Sequence, residues 1–155
     1  VRLTILRSPT WPAFNTDEGL HEVGYSLHPH IGDWIRGDAV RKGYEFNHPL
    51  IPYVKSISKV EMPFSFSFIR AEPENLVVTA VKKAEDTEDI ILRLYETAGK
   101  RTDASITLNL YRGISSAVKT DFLEETVLEE VEVSGDTVNF NVNPHEISSI
   151  KISLK

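Results

Sequence analysis

Hydrophobic and polar positions alternate along most of this chain, at the two-residue period of a half-buried strand. The pattern opens at Val1 to Arg7, where Val1, Leu3 and Ile5 stand against Arg2 and Thr4. A second extended segment puts His21, Val23, Tyr25 and Leu27 on one face. Residues 53–62 alternate more weakly, and Phe64, Phe66 and Phe68 then share a face opposite Ser65 and Ser67, which predicts a core strand. Two runs, 75–83 and 90–96, flank the acidic stretch Glu85-Asp86-Thr87-Glu88-Asp89 and predict a hairpin. Five more runs follow at 104–110, 117–124, 126–133, 137–142 and 147–154. Ser134-Gly135-Asp136 supplies a hairpin turn, and Asn143-Pro144-His145-Glu146 a connection between sheets. Strands recurring every 8–12 residues or so, with turn signals between them, predict an all-β fold, an antiparallel β-sandwich.

One stretch departs from the two-residue period. Between about Asp33 and Asn47, the positions Ile35, Ala39, Val40 and Tyr44 recur at helical spacing and predict a short helix. Asp33 is its candidate N-cap, and Asn47 with Pro49 ends it. Gly37 and Gly43 weaken it, so packing must hold it. Before the helix, Gly19 and Gly24 interrupt the strand pattern, which suggests a bulge or a close backbone approach. Pro9 and Pro12 break pairing after Arg7, so residues 8–19 read as a loop weighted with Trp11 and Phe14. Aromatics in a loop either pack it down or offer a platform for sugar C–H faces.

Composition narrows the function classes. The 155 residues suit one domain, 1–155, with 41% hydrophobic and 26% charged residues, as soluble globular domains have. No cysteine is present, which removes thiolate chemistry and fits a reducing, cytoplasmic setting. The net charge of -6 and the lack of a basic stripe argue against nucleic acid and anionic membranes as partners. No apolar run reaches the roughly 18 residues of a membrane span.

Candidate chemistry is sparse. His21, His28 and His30 are the clustered histidines, but seven residues separate the first two, which places them on opposite strand faces, and Pro29 intervenes. They read as polar strand-end residues rather than metal ligands. No Gly-x-Ser-x-Gly, no Gly-rich phosphate loop and no His-x-Asp occurs. The acidic turn lacks the alternating donors, central Gly and closing Glu of a calcium loop and reads as solvated. Short polar groups do cluster at the entrance of the second extended segment: Asp17, Glu18 and His21 beside Gly19, with Arg7 able to hold Asp17 or a ligand.

A set of motifs then carries a resemblance. It comprises Leu6-Arg7-Ser8-Pro9, Asp17-x-Gly19-x-His21 and Tyr25-x-Leu27-x-Pro29-His30-x-Gly32-x-Trp34. It continues through Asn47-x-Pro49-Leu50, Asn75-x-Val77, Ala80-x-Lys82-x-Ala84-Glu85-Asp86 and Arg93-x-Tyr95-Glu96-x-x-Gly99. Together they resemble the C-terminal β region of family 38 glycoside hydrolases, the α-mannosidases. Val23, Gly24 and His28 depart from that pattern and touch packing more than the loop.

The resemblance implies a retaining, zinc-dependent α-mannosidase whose nucleophile and zinc ligands lie in an upstream catalytic module. This chain would then hold no catalytic residue, metal or cofactor of its own. The start at Val1, inside a strand pattern, fits a C-terminal fragment of a longer glycoside hydrolase. Its partners would be the catalytic module, in cis or as a separate subunit, and a mannose-containing glycan. Arg7, Asp17, Glu18, Gly19 and His21 would be a loop lent to the sugar site. The competing expectation is an autonomous carbohydrate-binding or protein-interaction module with Trp11 and Phe14 as its platform.

Overall fold

The computed structural model describes residues 2–14, 16–54 and 63–155. The chain divides into two compact units, Val1–Pro52 and Tyr53–Lys155, taken here in turn.

In the first unit the one regular element among the described residues is α1, Ala39–Asn47. It is shorter than the expected Asp33–Asn47, because residues 31–38 form turns. Asp33 caps one of these turns: its Oδ1 accepts from the Arg36 N–H at 2.8 Å, and its carbonyl accepts from the Gly37 N–H at 2.9 Å. The helix N-cap is Asp38, held at φ 51° with no side-chain hydrogen bond to the first turn. At the other end the His48 N–H donates to the Tyr44 carbonyl at 2.8 Å, and the Asn47 amide to the Gly43 carbonyl at 2.8 Å. The expected strands at 2–7 and 21–27 do not form among the described residues. Alternation fits a segment for pairing, but a strand exists only beside a partner ladder, and among the described residues none pairs with these segments.

The second unit is the expected antiparallel sandwich. One sheet comprises β1 (Ile69–Glu72), β4 (Thr102–Leu108), β7 (Glu132–Ser134) and β8 (Thr137–Val142). The other comprises β2 (Leu76–Lys83), β3 (Ile90–Glu96), β5 (Ile114–Thr120), β6 (Val127–Glu130) and β9 (Ile147–Leu154). The strand orders are β1-β4-β8-β7 and β2-β3-β9-β5-β6, antiparallel at each pairing. The expected turn at 134–136 joins β7 to β8, with Gly135 at φ 62°. Residues 143–146 carry the chain from one sheet to the other, as their composition suggests.

Side-chain alternation fills the space between the sheets. Leu92 and Leu94 of β3 and Ile150 and Ile152 of β9 meet Ile106 and Leu108 of β4 and Val138 and Val142 of β8, all buried. Each such side chain contributes about 1.5–3 kcal/mol of burial. Glu96 ends this buried row at its polar limit.

The Phe64–Phe68 run is not a core strand. β1 begins only at Ile69, and Phe64, Phe66 and Phe68 remain exposed, the last two in an edge-to-face pair at 5.0 Å. Only the end of the run is tied down: the Asn109 N–H donates to the Phe68 carbonyl at 2.8 Å and the Asn109 amide to the Ser67 carbonyl at 2.8 Å, while the three rings stay exposed. The weaker alternation expected over 53–62 falls largely outside the described residues.

Candidate functional site

The polar loop anticipated at the start of the chain is held by its own short-range bonds. The Ser8 hydroxyl donates to the Thr16 carbonyl at 3.0 Å, and the Thr16 hydroxyl donates to the Pro9 carbonyl. These bonds close residues 8–16 into a loop that leaves Trp11 81% and Phe14 84% exposed, so neither aromatic packs the loop down. Beyond it, Asp17 sits at φ 61° and Gly19 at φ 133°. A Cβ at Gly19 would meet nothing within 4 Å, so the backbone angle is what calls for glycine there. At Gly24 a Cβ would lie 3.5 Å from Phe46 Cζ, an ordinary contact. Neither glycine therefore marks the bulge or close approach that the sequence suggested.

Asp17 and His21 come together. The His21 Nε2–H donates to the Asp17 carbonyl at 2.9 Å, which leaves the Asp17 carboxylate and the other imidazole nitrogen open to solvent. Arg7 and Glu18 are exposed, and no ion pair joins Arg7 to Asp17. The loop thus offers two carboxylates, an imidazole edge and a guanidinium, the groups that bind sugar hydroxyls.

His28 and His30 lie farther along the same unit, their rings 5.6 Å apart. The His28 Nε2–H donates to the Gly37 carbonyl at 2.8 Å. A Cβ on Gly37 would fall 2.3 Å from His30 Cγ, so here glycine is required by close approach. These histidines pack a turn. Among the described residues no three of His, Cys, Asp or Glu converge as metal ligands.

The densest polar geometry lies in the second unit, around Glu96, which the motif comparison quoted without a role. Its Oε1 accepts from the Asn75 amide and the Ala98 N–H, both at 2.7 Å. Its Oε2 accepts from the N–H groups of Gly99 at 2.8 Å, Lys100 at 3.1 Å and His145 at 3.0 Å. Burial alone would raise its pKa. The His145 N–H, the Asn75 amide and the N–H groups of Ala98 and Lys100 outweigh burial and hold it at about 2. Gly99, at φ 69°, makes the turn, and a Cβ there would sit 2.8 Å from His145 Nε2. The signal available beforehand was an acid closing an apolar run, three residues before a glycine.

Two further carboxylates brace the sandwich. Glu146 pairs with Lys119 and accepts from the Asn143 N–H at 2.7 Å and the Ser148 hydroxyl at 3.2 Å. Burial would raise its pKa, but these partners hold it below the usual carboxylate range. Glu124, at φ 69°, accepts from Lys82 Nζ at 2.8 Å and Arg93 Nη2 at 3.0 Å, while Arg93 also donates to the Phe122 carbonyl at 2.8 Å. The Lys82 ammonium beside it lowers the Glu124 pKa. In the acidic turn the side chains of 85–88 are exposed, and Glu88 meets Lys83 at 2.5 Å.

Residues 75–150, which hold the Glu96, Glu146 and Glu124 networks, match the model of the glycosyl hydrolases family 38 C-terminal beta sandwich domain. Nearly the whole chain also aligns with curated proteins. It is 31% identical over 163 residues to "Alpha-mannosidase G" of Dictyostelium discoideum, covering 97% of this chain and 14% of that protein. It is 30% identical over 175 residues to "Alpha-mannosidase" of Saccharomyces cerevisiae, covering 98% of this chain and 16% of that protein. The chain belongs to the C-terminal β region of glycosyl hydrolase family 38. Within this family 38 β region, the matched segment runs from Asn75, a ligand of the Glu96 carboxylate, to Ile150 in the core. The Asp17–His21 loop and α1 lie upstream of it, inside the longer alignments to the two α-mannosidases. The chain spans about one-seventh to one-sixth of the length of these relatives.

Proposed function

We propose that this chain is the non-catalytic β region of an enzyme that hydrolyses terminal α-mannosides in mannose metabolism. It buttresses the catalytic module of that enzyme, in cis or as a separate subunit, and lends the loop of Arg7, Asp17, Glu18, Gly19 and His21 to its sugar site. The observation that carries this reading is the alignment of 97–98% of the chain with two α-mannosidases. The His21-to-Asp17 bond supports the loop's part in it, since it stiffens a short polar turn that is otherwise open.

The zinc that the family implies does not fit the residues in hand. His28 is committed to a carbonyl, and no third donor joins His28 and His30 among the described residues. This chain's part is to position sugar hydroxyls and exclude water, with metal and nucleophile supplied by the catalytic module. The absence of cysteine fits a cytoplasmic enzyme. Among the described residues no helix is long and apolar enough to cross a membrane.

The test uses the intact enzyme and a terminal α-mannoside. His21→Ala and Asp17→Asn, the latter chosen because Asn tolerates the left-handed backbone at that position, lower kcat/KM without moving the thermal midpoint. Unchanged kinetics in both variants remove the loop from the sugar site. Hydrolysis by the 155-residue chain alone overturns the non-catalytic reading.

The exposure of Trp11 and Phe14 favours a second reading, an autonomous carbohydrate-binding module. Calorimetry of the chain with mannose oligosaccharides separates the two. Binding that Trp11→Ala abolishes supports the module, and no heat counts against it.

A further inference from the structure

The β5–β6 hairpin presents a surface that the proposed role leaves without a use. Within residues 121–130 four large apolar side chains are exposed: Phe122 57%, Leu123 74%, Val127 59% and Leu128 60%. Glu125, Glu129 and Glu130 stand among them, exposed, and no ion pair engages them among the described residues. The nearby cations are already committed, Lys82 and Arg93 to Glu124 and Lys119 to Glu146.

The apolar tip is held in place. Asp121 accepts from the N–H groups of Glu125 at 3.0 Å and Thr126 at 3.3 Å, and its own N–H donates to the Thr126 carbonyl at 3.1 Å. Glu124, in a left-handed conformation that costs a non-glycine residue energy, is anchored to two other strands through Lys82 and Arg93. Arg93 also fixes the Phe122 carbonyl. A loop pinned by charged groups at its base, with phenylalanine and leucine turned outward, is preorganised for contact.

The geometry points to this hairpin as the surface by which the β region docks on the catalytic module of the same enzyme. The inference rests on the reading that the chain works as one part of a longer α-mannosidase. The surface it meets is apolar at the centre and bordered by lysine or arginine, complementary to Glu125, Glu129 and Glu130. In the relatives, most of the polypeptide that could supply such a surface lies outside the aligned segment. A second copy fits poorly, because the same carboxylates would face one another. Strand addition along β6 fits poorly too, because β6 has four residues and a register shift opposite Lys119/Thr120, features that blunt an edge.

Hydroxyl-radical footprinting of the intact enzyme beside the 155-residue chain alone tests this. Labelling of Phe122 and Leu123 falls several-fold in the intact enzyme, and Glu125→Lys with Glu129→Lys restores it. If other residues of the chain are protected while Phe122 and Leu123 label equally in both, the hairpin is not the docking surface and the packing role stands. If no residue of the chain is protected, the packing role fails as well. If protection appears in the isolated chain and rises with its concentration, the occupant is a second copy and the inference is overturned.

Discussion

The backbone N–H of His145 donates to Oε2 of Glu96 at 3.0 Å, although 49 residues separate them in sequence. The bond ties the end of β3 to the connection that carries the chain from β8 to β9. The same carboxylate also gathers Asn75, before β2, and the turn at 98–100, so one charge fixes three separate backbone segments.

Removing that buried carboxylate takes the acceptor from four backbone N–H groups and the Asn75 amide in a part-buried network. Glu96→Ala lowers stability by about 3 kcal/mol or more, read as a shift in denaturant midpoint at constant slope. Glu96→Gln also costs stability, because its amide group turns N–H donors toward N–H donors. A midpoint unchanged in both variants would falsify the organising role of the carboxylate.

Acid should loosen the sandwich through the same group. Glu96 titrates at about 2 when folded against an ordinary 4.5, so the folded state binds the proton less readily. Its contribution is complete above about pH 5 and is lost as pH falls toward 2, up to roughly 3 kcal/mol. The lowered pKa values of Glu146 and Asp89 act in the same direction. Chemical denaturation across pH 7 to 2 measures this loss, and Glu96→Gln flattens the profile. A slope as steep in Glu96→Gln as in the native chain assigns it to other carboxylates.

Core and exposed apolar positions respond differently. Leu92 lies opposite Ile150 across the β3–β9 ladder, both fully buried. Leu92→Ala or Ile150→Val costs about 2–5 and 0.5–1.5 kcal/mol respectively. Phe64→Ser, at a fully exposed side chain, stays within about 0.5 kcal/mol of the native chain. Thermal or urea unfolding reports all three, and a large loss at Phe64 would return that segment to the core.

Two glycines near α1 move stability in opposite directions. Gly43 lies inside the helix with nothing within 4 Å of a Cβ, so Gly43→Ala raises helicity and stabilises by about 0.5–1 kcal/mol. Gly37→Ala drives a methyl group into the His30 ring and displaces it. Circular dichroism and the His30 imidazole resonances in NMR distinguish the two, and equal behaviour rules out the packing described at Gly37.

The sequence revealed most of the strands whose partners the chain also holds, but missed β1, which begins one residue after the expected Phe64–Phe68 run. β2 to β4, β8 and β9 follow their apolar alternation. The run expected at 117–124 is displaced to β5 at Ile114–Thr120, because residues 121–126 make the turn to β6. The run at 126–133 is split into β6 and β7 at Val131, where the chain passes from one sheet to the other. The same alternation at 2–7, 21–27 and 64–68 gave no strand, because a period of two describes a face and not its neighbour. The loop at 17–21 was legible as polar groups beside glycine, but its one internal bond uses the Asp17 backbone carbonyl, which no side-chain pattern announces. Glu96 was legible only as part of a motif. An acid at a strand end ordinarily faces water, and its burial depends on a turn nearly fifty residues downstream.

The position of β9 has a consequence for how the sandwich is made. It lies between β3 and β5 at the centre of its sheet, yet it is the last of the nine strands among the described residues. Until it arrives, β3 and β5 have no common neighbour, and the apolar faces of Ile150 and Ile152 are missing from the core. Folding of the larger sheet therefore waits on β9, which follows every other strand of that sheet in sequence. A chain cut before Ile147 keeps most of its sequence and loses the strand that joins the halves of that sheet.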